Sequence, residues 1–145
     1  MAVRKKFSME GSDMKKQIAA LATDEEHIVM WDIDSLLADL FETDFAYVPT
    51  SKLVPAEWLS INQEYAKTTD VSKPIVIFEL PENKAYIADG NHRLYRAVTE
   101  NIPEMKVVFV SEETHLQYLY RCTREDYYKV IRGLLSENIF IDRPF

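Results

Sequence analysis

A five-residue run, Asp-Gly-Asn-His-Arg at 89–93, constrains the fold more than any other part of this sequence. It follows a strand-like run, Lys-Ala-Tyr-Ile-Ala at 84–88, and opens a helix predicted to continue to about residue 100. Asp89 is suited to cap that helix by accepting hydrogen bonds from backbone N–H groups two and three residues on. Gly90 is one of three glycines in the chain, and its position indicates a positive φ or a close approach by a ligand. The run therefore predicts a strand, a tight turn and a helix start.

The helix start is a candidate anion site, because free N–H groups and the positive end of the helix dipole favour phosphate or carboxylate. The donors would be the N–H groups of Gly90, Asn91 and His92, with the Arg93 guanidinium as a bidentate clamp. Arg96 lies four residues after His92 and extends the pocket on the same side of the helix. The alternative is that Asp-Gly-Asn is ordinary turn chemistry and that the capped helix binds nothing.

Three residues are candidates for catalysis, since phosphoryl transfer needs a metal ligand and a carboxylate that orients the attacking hydroxyl. Asp89 is either a helix cap or a Mg²⁺ ligand. His92 is either an acid/base group near neutral pH or a histidine hydrogen-bonded within the turn. Glu57, in Val-Pro-Ala-Glu-Trp at 54–58, is the candidate orienting carboxylate; the competing interpretation is an exposed helix position.

Charge and cysteine content narrow the classes of partner and compartment. The net charge is −7, and residues 1–16 carry +3, which leaves −10 for the rest of the chain. This negative charge repels the phosphate backbone of nucleic acids. We therefore expect no broad, non-specific binding to duplex DNA. The single cysteine, Cys122, allows no internal disulfide and favours a reducing, cytoplasmic compartment. No run of about 20 apolar residues is present, so no membrane span is expected.

Hydrophobic spacing and turn residues predict a mixed α/β (α+β) chain with a small mixed sheet and packed helices. At 145 residues one domain is expected, covering 13–145 after a mobile basic tail at 1–12. Its core is predicted at about 45–110, followed by a helical extension at 111–145. Thr123 and Asp126 resemble a capping box in that extension. The predicted elements are helices at 13–22, 32–41, 55–66 and 90–100, and strands at 45–49, 74–80, 84–88 and 105–110.

Four segments together carry a resemblance to a known family. They are the strand at 74–80, the run Tyr-Ile-Ala-Asp-Gly-Asn-His-Arg-Leu-Tyr-Arg-Ala at 86–97, the strand at 105–110 and Val-Pro-Thr-Ser-Lys-Leu-Val-Pro at 48–55. The chain resembles the ParB/sulfiredoxin-like (ParB N-terminal, ParB-like nuclease) domains over roughly residues 46–110. In these domains an Asp-Gly-x-His-Arg or Gly-Glu-Arg-Arg type turn joins a strand to a helix. The resemblance implies this fold with N- and C-terminal helical additions.

The resemblance also implies activities. Sulfiredoxins carry a reactive cysteine where this chain has Asn91, so sulfinic acid reduction is not expected. ParB-type partition proteins bind CTP through an arginine-bearing turn, and relatives similar to free-amino-acid kinases use a nucleotide at an Asp-Gly-x-His turn. We therefore expect nucleotide or phosphate binding at Asp89–Arg93, with ATP or CTP and Mg²⁺, serving phosphotransfer or nucleotide hydrolysis.

Two alternatives of other classes stay open. One is a non-catalytic ligand-sensing or protein-interaction module that keeps the fold, with a protein partner. The other is a ParB-like nuclease or DNA partition accessory factor, which the acidic composition disfavours. Nothing in the sequence indicates the oligomeric state.

Overall fold

The chain folds into a mixed α/β structure, as predicted. A computed structural model describes residues 3–10, 15–40, 45–58 and 61–144. Within these ranges the chain forms eight strands and five α-helices. Contacts group them into two compact units, Met1–Leu40 with Glu112–Glu137, and Phe41–Ser111 with Asn138–Phe145. The second unit contains the core predicted at 45–110.

The first unit is built on a three-stranded antiparallel sheet in the order β1-β2-β3. The strands are β1 (Val3–Glu10), β2 (Lys15–Ala22) and β3 (Ile28–Asp32). This corrects two predictions, since residues 3–10 form a strand where a tail is expected, and residues 15–22 form a strand where a helix is expected. Residues 18–22 are buried and pair with β3. Burial in a sheet outweighs the helix preference of this alanine-rich run.

Three helices belong to the same unit: α1 (Ile33–Ala38), α4 (Glu112–His115) and α5 (Arg124–Leu134). The Asp32 side chain caps α1 by accepting from the Ser35 N–H at 3.0 Å. Thr123 and Asp126 form the predicted capping box at the start of α5. The helix predicted at 32–41 is shorter than expected, and Phe41 lies outside the described residues. The local capping signal therefore located the start of α5 correctly.

An aromatic cluster fills the core of the first unit. The Trp31 ring contacts the rings of His115 and Tyr127 edge-on, at centroid distances of 5.8 and 6.1 Å. All three residues are fully buried. The indole N–H of Trp31 donates to His115 Nδ1 at 3.3 Å, and the Tyr127 hydroxyl hydrogen-bonds the Glu112 carboxylate at 2.8 Å. These bonds satisfy polar groups that would otherwise be costly to bury.

The second unit contains a five-stranded mixed sheet in the order β4-β7-β5-β6-β8. Strands β5 and β7 are parallel, and the other neighbours are antiparallel. The helical extension predicted at 111–145 does not continue to the end, because β8 is a strand that pairs with the start of β6. The strands are β4 (Phe45–Pro49), β5 (Ile75–Glu79), β6 (Lys84–Asp89), β7 (Glu104–Val110) and β8 (Ile141–Asp142).

Two helices complete this unit, α2 (Gln63–Ala66) and α3 (Asn91–Thr99). Helix α3 joins β6 to β7 and buries Leu94 and Ala97 against aliphatic residues of the sheet. The helix predicted at 55–66 is longer than the observed helix, Gln63–Ala66. Only the last turn is helical within the described residues, and Asn62 caps it.

No helix in the described ranges has both the length and the hydropathy needed to cross a membrane.

Candidate functional site

The turn between β6 and α3 has the predicted strand–glycine–helix backbone. Strand β6 ends at Asp89, and α3 begins at Asn91. Gly90 occupies the N-cap position with φ of 103°, in the left-handed region that favours glycine. The predicted positive φ is therefore confirmed. The N-cap position belongs to Gly90 rather than to Asp89, which corrects the expected capping residue.

The atoms that lie close to Gly90 belong to side chains of the protein itself. A Cβ at this position would lie 3.0 Å from Arg93 Nη2 and 3.1 Å from Ile75 Cγ1. Real Cβ contacts are rarely so short, so any larger residue would push the guanidinium aside. Glycine is thus required both by its backbone angle and by the arginine packed across it.

Arg93 forms an ion pair with Asp89 inside the turn. Its Nη2 lies 3.2 Å from Asp89 Oδ2 and 2.7 Å from the carbonyl oxygen of Pro74. The two side chains are 16% and 7% exposed. A carboxylate this buried needs a positive partner, and here the partner is the residue predicted to clamp an external anion.

One donor of the Arg93 guanidinium is left unsatisfied. Its Nε–H is buried and has no hydrogen-bond partner among the described residues. A buried donor without an acceptor costs about 1–3 kcal/mol. The present orientation of the guanidinium is therefore not its best possible one, and an acceptor reached by a small rotation would improve it.

Asn91 and His92 are both held by neighbouring main chain. The Asn91 side-chain amide donates to the Ile87 carbonyl at 2.9 Å. His92 Nε2 accepts the N–H of Asn62 at 3.1 Å, and the Tyr65 ring packs edge-on against the imidazole at 4.9 Å. The Asn62 hydrogen bond and the Tyr65 ring thus hold the imidazole in place.

Arg96 was predicted to widen the anion pocket, and in the structure it is engaged elsewhere. Its Nη1 donates to the carbonyl oxygen of Thr69, and its Nε donates to the Glu100 carboxylate at 2.7 Å. Both arginines of α3 thus hydrogen-bond carbonyls of the segment 67–74, one at Thr69 and the other at Pro74. The geometry favours a role in holding this segment against the helix.

Hydrogen bonds within the segment 67–74 stabilise its conformation. Asp70 accepts hydrogen bonds from the Ser72 hydroxyl at 2.6 Å and from the Ser72 N–H at 3.0 Å. These bonds lower the pKa of Asp70, and the nearby positive charges of Lys73 and Arg93 lower it further. Sequence reasoning missed this segment as part of the site, because main-chain carbonyl acceptors leave no residue signature.

Glu57 does not meet the turn residues through any hydrogen bond or ion pair in the described part of the chain. Its carboxylate is exposed, while its backbone N–H donates to the Asn138 carbonyl at 3.1 Å. The neighbouring Trp58 ring packs edge-on against Tyr95 of α3 at 5.5 Å. The segment carrying Glu57 is therefore joined to α3 through an aromatic contact.

The turn offers few ligands for a metal ion. Mg²⁺ usually takes one or two carboxylates together with substrate phosphates. The only carboxylate within 89–93 is Asp89, and it already faces the Arg93 cation. Among the described residues no three His, Cys, Asp or Glu side chains gather as a metal site. A metal-ligand role for Asp89 stays a prediction.

This chain matches no protein-family model, no curated protein and no solved structure. The resemblance to ParB/sulfiredoxin-like domains therefore stays a prediction from residues 48–55 and 74–110.

Proposed function

We propose that this protein is a binding module for a small phosphate-bearing ligand, such as a nucleotide, at the start of α3. The ligand's phosphate would lie against Gly90–Arg93 at the N-terminal end of the helix. The observation that carries the proposal is the buried Nε–H of Arg93, a charged donor without an acceptor, next to a left-handed glycine and a helix start.

The hydrogen bonding of Arg93 supports the binding of an additional acceptor. One nitrogen of the guanidinium, Nη2, donates hydrogen bonds to both the Asp89 carboxylate and the Pro74 carbonyl. A phosphate near the helix start would accept charge-assisted hydrogen bonds from this group and also meet the positive end of the helix dipole. Removal of the orphaned donor adds to that gain. Binding is then coupled to a small reorientation of one side chain.

Binding without turnover is the form that the geometry supports best. His92 Nε2 is occupied by the Asn62 N–H, so this nitrogen is not available to take a proton. Asp89 is paired with Arg93. The polar groups of the turn are therefore engaged in structure, as expected for a sensing or interaction module.

A second candidate, phosphotransfer or nucleotide hydrolysis, is favoured by one observation. The exposed Glu57 carboxylate follows Pro55 and Ala56 on a segment that contacts α3 through Trp58 and Tyr95. A carboxylate near the helix is what such chemistry needs to orient a hydroxyl. This version requires Glu57, whereas the binding module does not.

Amide NMR spectra titrated with ATP, CTP and inorganic phosphate, each with and without Mg²⁺, test the proposal. We expect the amide signals of residues 90–94 to shift with nucleotide and to remain in place with adenosine or cytidine. Arg93→Lys, which keeps the charge but loses the fork, should weaken binding about tenfold. Arg132→Lys, a change at an exposed position of α5, is the matched control and should bind like the wild type.

Two results would overturn the proposal: no shift at 90–94 at millimolar nucleotide, or equal binding by Arg93→Lys and the wild type. Phosphorus NMR of ATP and CTP over hours separates the two candidates. Turnover that disappears in Glu57→Gln would favour the enzyme, and its absence would favour the binding module.

A further inference from the structure

A cavity lies at the end of β6 opposite the Asp89–Arg93 turn. Its volume is about 560 Å³, within the range of about 300–1,000 Å³ that small-molecule sites occupy. It belongs entirely to the second unit, between the segment after β4 and the C-terminal strand. Its walls are Lys52, Val54, Ala56, Lys84, Asn138, Phe140, Ile141, Asp142, Arg143 and Pro144.

Positive charge dominates the polar part of this cavity, although the chain as a whole is acidic. Three cations and one carboxylate line it. Lys84 and Asp142 neutralise each other at 2.7 Å. Lys52 is exposed and forms no hydrogen bond or ion pair with a described residue. The cavity therefore offers a positive potential to a ligand.

Arg143 is fixed in place before any ligand arrives. Its Nη2 donates to the Leu80 carbonyl, and its Nε donates to the Lys84 carbonyl at 3.3 Å. Its own backbone N–H donates to the Asn83 carbonyl at 2.8 Å. The Glu79 carboxylate is 4.0 Å from Nη1, at the outer limit of an ion pair. A guanidinium held this way costs little further ordering when an anion binds.

Apolar side chains complete part of the wall, next to the polar side chain of Asn138. Phe140 and Ile141 are each 6% exposed and line the cavity together with Val54 and Pro144. A site with an apolar wall and a few convergent polar groups is typical of small organic ligands.

We propose that this cavity binds a small organic anion, with a phosphate or carboxylate head near Lys52 and Arg143 and an apolar body against Val54 and Phe140. The site is separate from the start of α3, because Lys84 is the first residue of β6 and Asp89 the last. A strand of this length separates them by about 16 Å. The proposal goes beyond the function proposed for the turn and does not depend on it.

Phenyl phosphate and benzoate are suitable probes, with inorganic phosphate and phenol as their separate halves. Amide NMR titration of the full chain should show shifts at 52–56, 84 and 138–144. We expect at least one of the two aromatic anions to bind more tightly than phosphate or phenol alone. Lys52→Met should weaken that binding about tenfold, the loss of one charged hydrogen bond.

The matched control is Lys129→Met, which removes the same charge from α5, where Lys129 pairs with Glu125 at 3.1 Å. It should bind like the wild type. Unchanged binding in Lys52→Met, or phosphate alone binding as tightly as both aromatic anions, would overturn the proposal. Comparison of the two aromatic anions then decides between a phosphate and a carboxylate head.

Discussion

The two ends of β6 both collect positive side chains, but they use them differently. At the Asp89 end, Arg93 and its carboxylate are 16% and 7% exposed, and the arginine also serves the Pro74 carbonyl. At the Lys84 end, the partner carboxylate of Asp142 is 76% exposed, and Lys52 has no ion pair with a described residue. A buried charge needs a partner. The Asp89 end therefore holds a buried ion pair, whereas the Lys84 end presents an accessible positive surface.

The sharpest test of this comparison is Arg93→Met. It removes the partner of a buried carboxylate, which is strongly destabilising, and we expect a loss of about 3 kcal/mol in the free energy of unfolding. Arg96→Met is the matched change, since Arg96 also pairs four residues away and bonds a carbonyl of 67–74. Its carboxylate partner, Glu100, is 47% exposed, so about 1 kcal/mol is expected. Urea unfolding measures both.

Equal losses in the two variants would contradict the role assigned to burial. The double variant Arg93→Met with Asp89→Asn should recover part of the stability, because no unpaired buried charge then remains.

Gly90→Ala should be the next most damaging change. The left-handed backbone and the contacts of 3.0 and 3.1 Å that a Cβ would make together predict a loss of about 2 kcal/mol. Gly133→Ala is the control. Gly133 lies in helix α5, and a Cβ there would meet only one side-chain methyl group, that of Thr23, at 3.0 Å. Alanine gains helix propensity there, so a near-neutral effect is expected. Thermal and urea unfolding distinguish the two, and similar values would argue against strain at Gly90.

Arg143→Met examines the other end of β6. It removes the donors to two carbonyls, those of Leu80 and Lys84. The Arg143 side chain is 31% exposed, so water can hydrogen-bond these carbonyls in the variant. We expect about 1 kcal/mol of destabilisation by urea unfolding. Lys52→Met should leave stability unchanged, so a loss equal to that of Arg143→Met would show that Lys52 also supports the fold.

The smallest effect concerns pH. Hydrogen bonds from Ser72 lower the pKa of Asp70 in the folded state, whereas its unfolded value is about 3.9. The ionised form is therefore favoured by folding, and its contribution is present above about pH 4. It disappears as the pH falls through the lower folded pKa. The Asp70 carboxyl carbon shift followed against pH should give a lowered midpoint in the wild type and a higher one in Ser72→Ala. Ser136→Ala, at an exposed position far along the sequence, should leave that midpoint unchanged.

Structure that depends on a few neighbouring residues could be predicted from the sequence. The Thr123–Asp126 capping box and the positive φ of Gly90 each involve residues within four positions of one another. Segment 15–22 was misjudged for the opposite reason. Its alanines favour a helix locally, but its pairing with β1 and β3 makes it the central strand of a sheet. Segment 55–58 was likewise misjudged, since the Glu57 N–H is committed to Asn138.

The site shows the same division. Residues 89–93 could be recognised as a strand–turn–helix junction from their order alone. The partners of Arg93 and Arg96 could not, because carbonyls of Pro74 and Thr69 are common to every residue type. The cavity at Lys84 was missed entirely, since it joins residues 52–56 with 138–144 across the sheet.

By itself the sequence determined the mixed α/β class, the left-handed glycine and the cap of α5. The last two follow from local backbone sterics and short-range hydrogen bonds. Tertiary structure alone decided which charges became buried and paired and which stayed exposed. Burial depends on segments distant in sequence meeting in space. For this reason Arg93, the most suggestive residue of the motif, is partnered by Asp89 and Pro74, while Lys52 faces an open cavity.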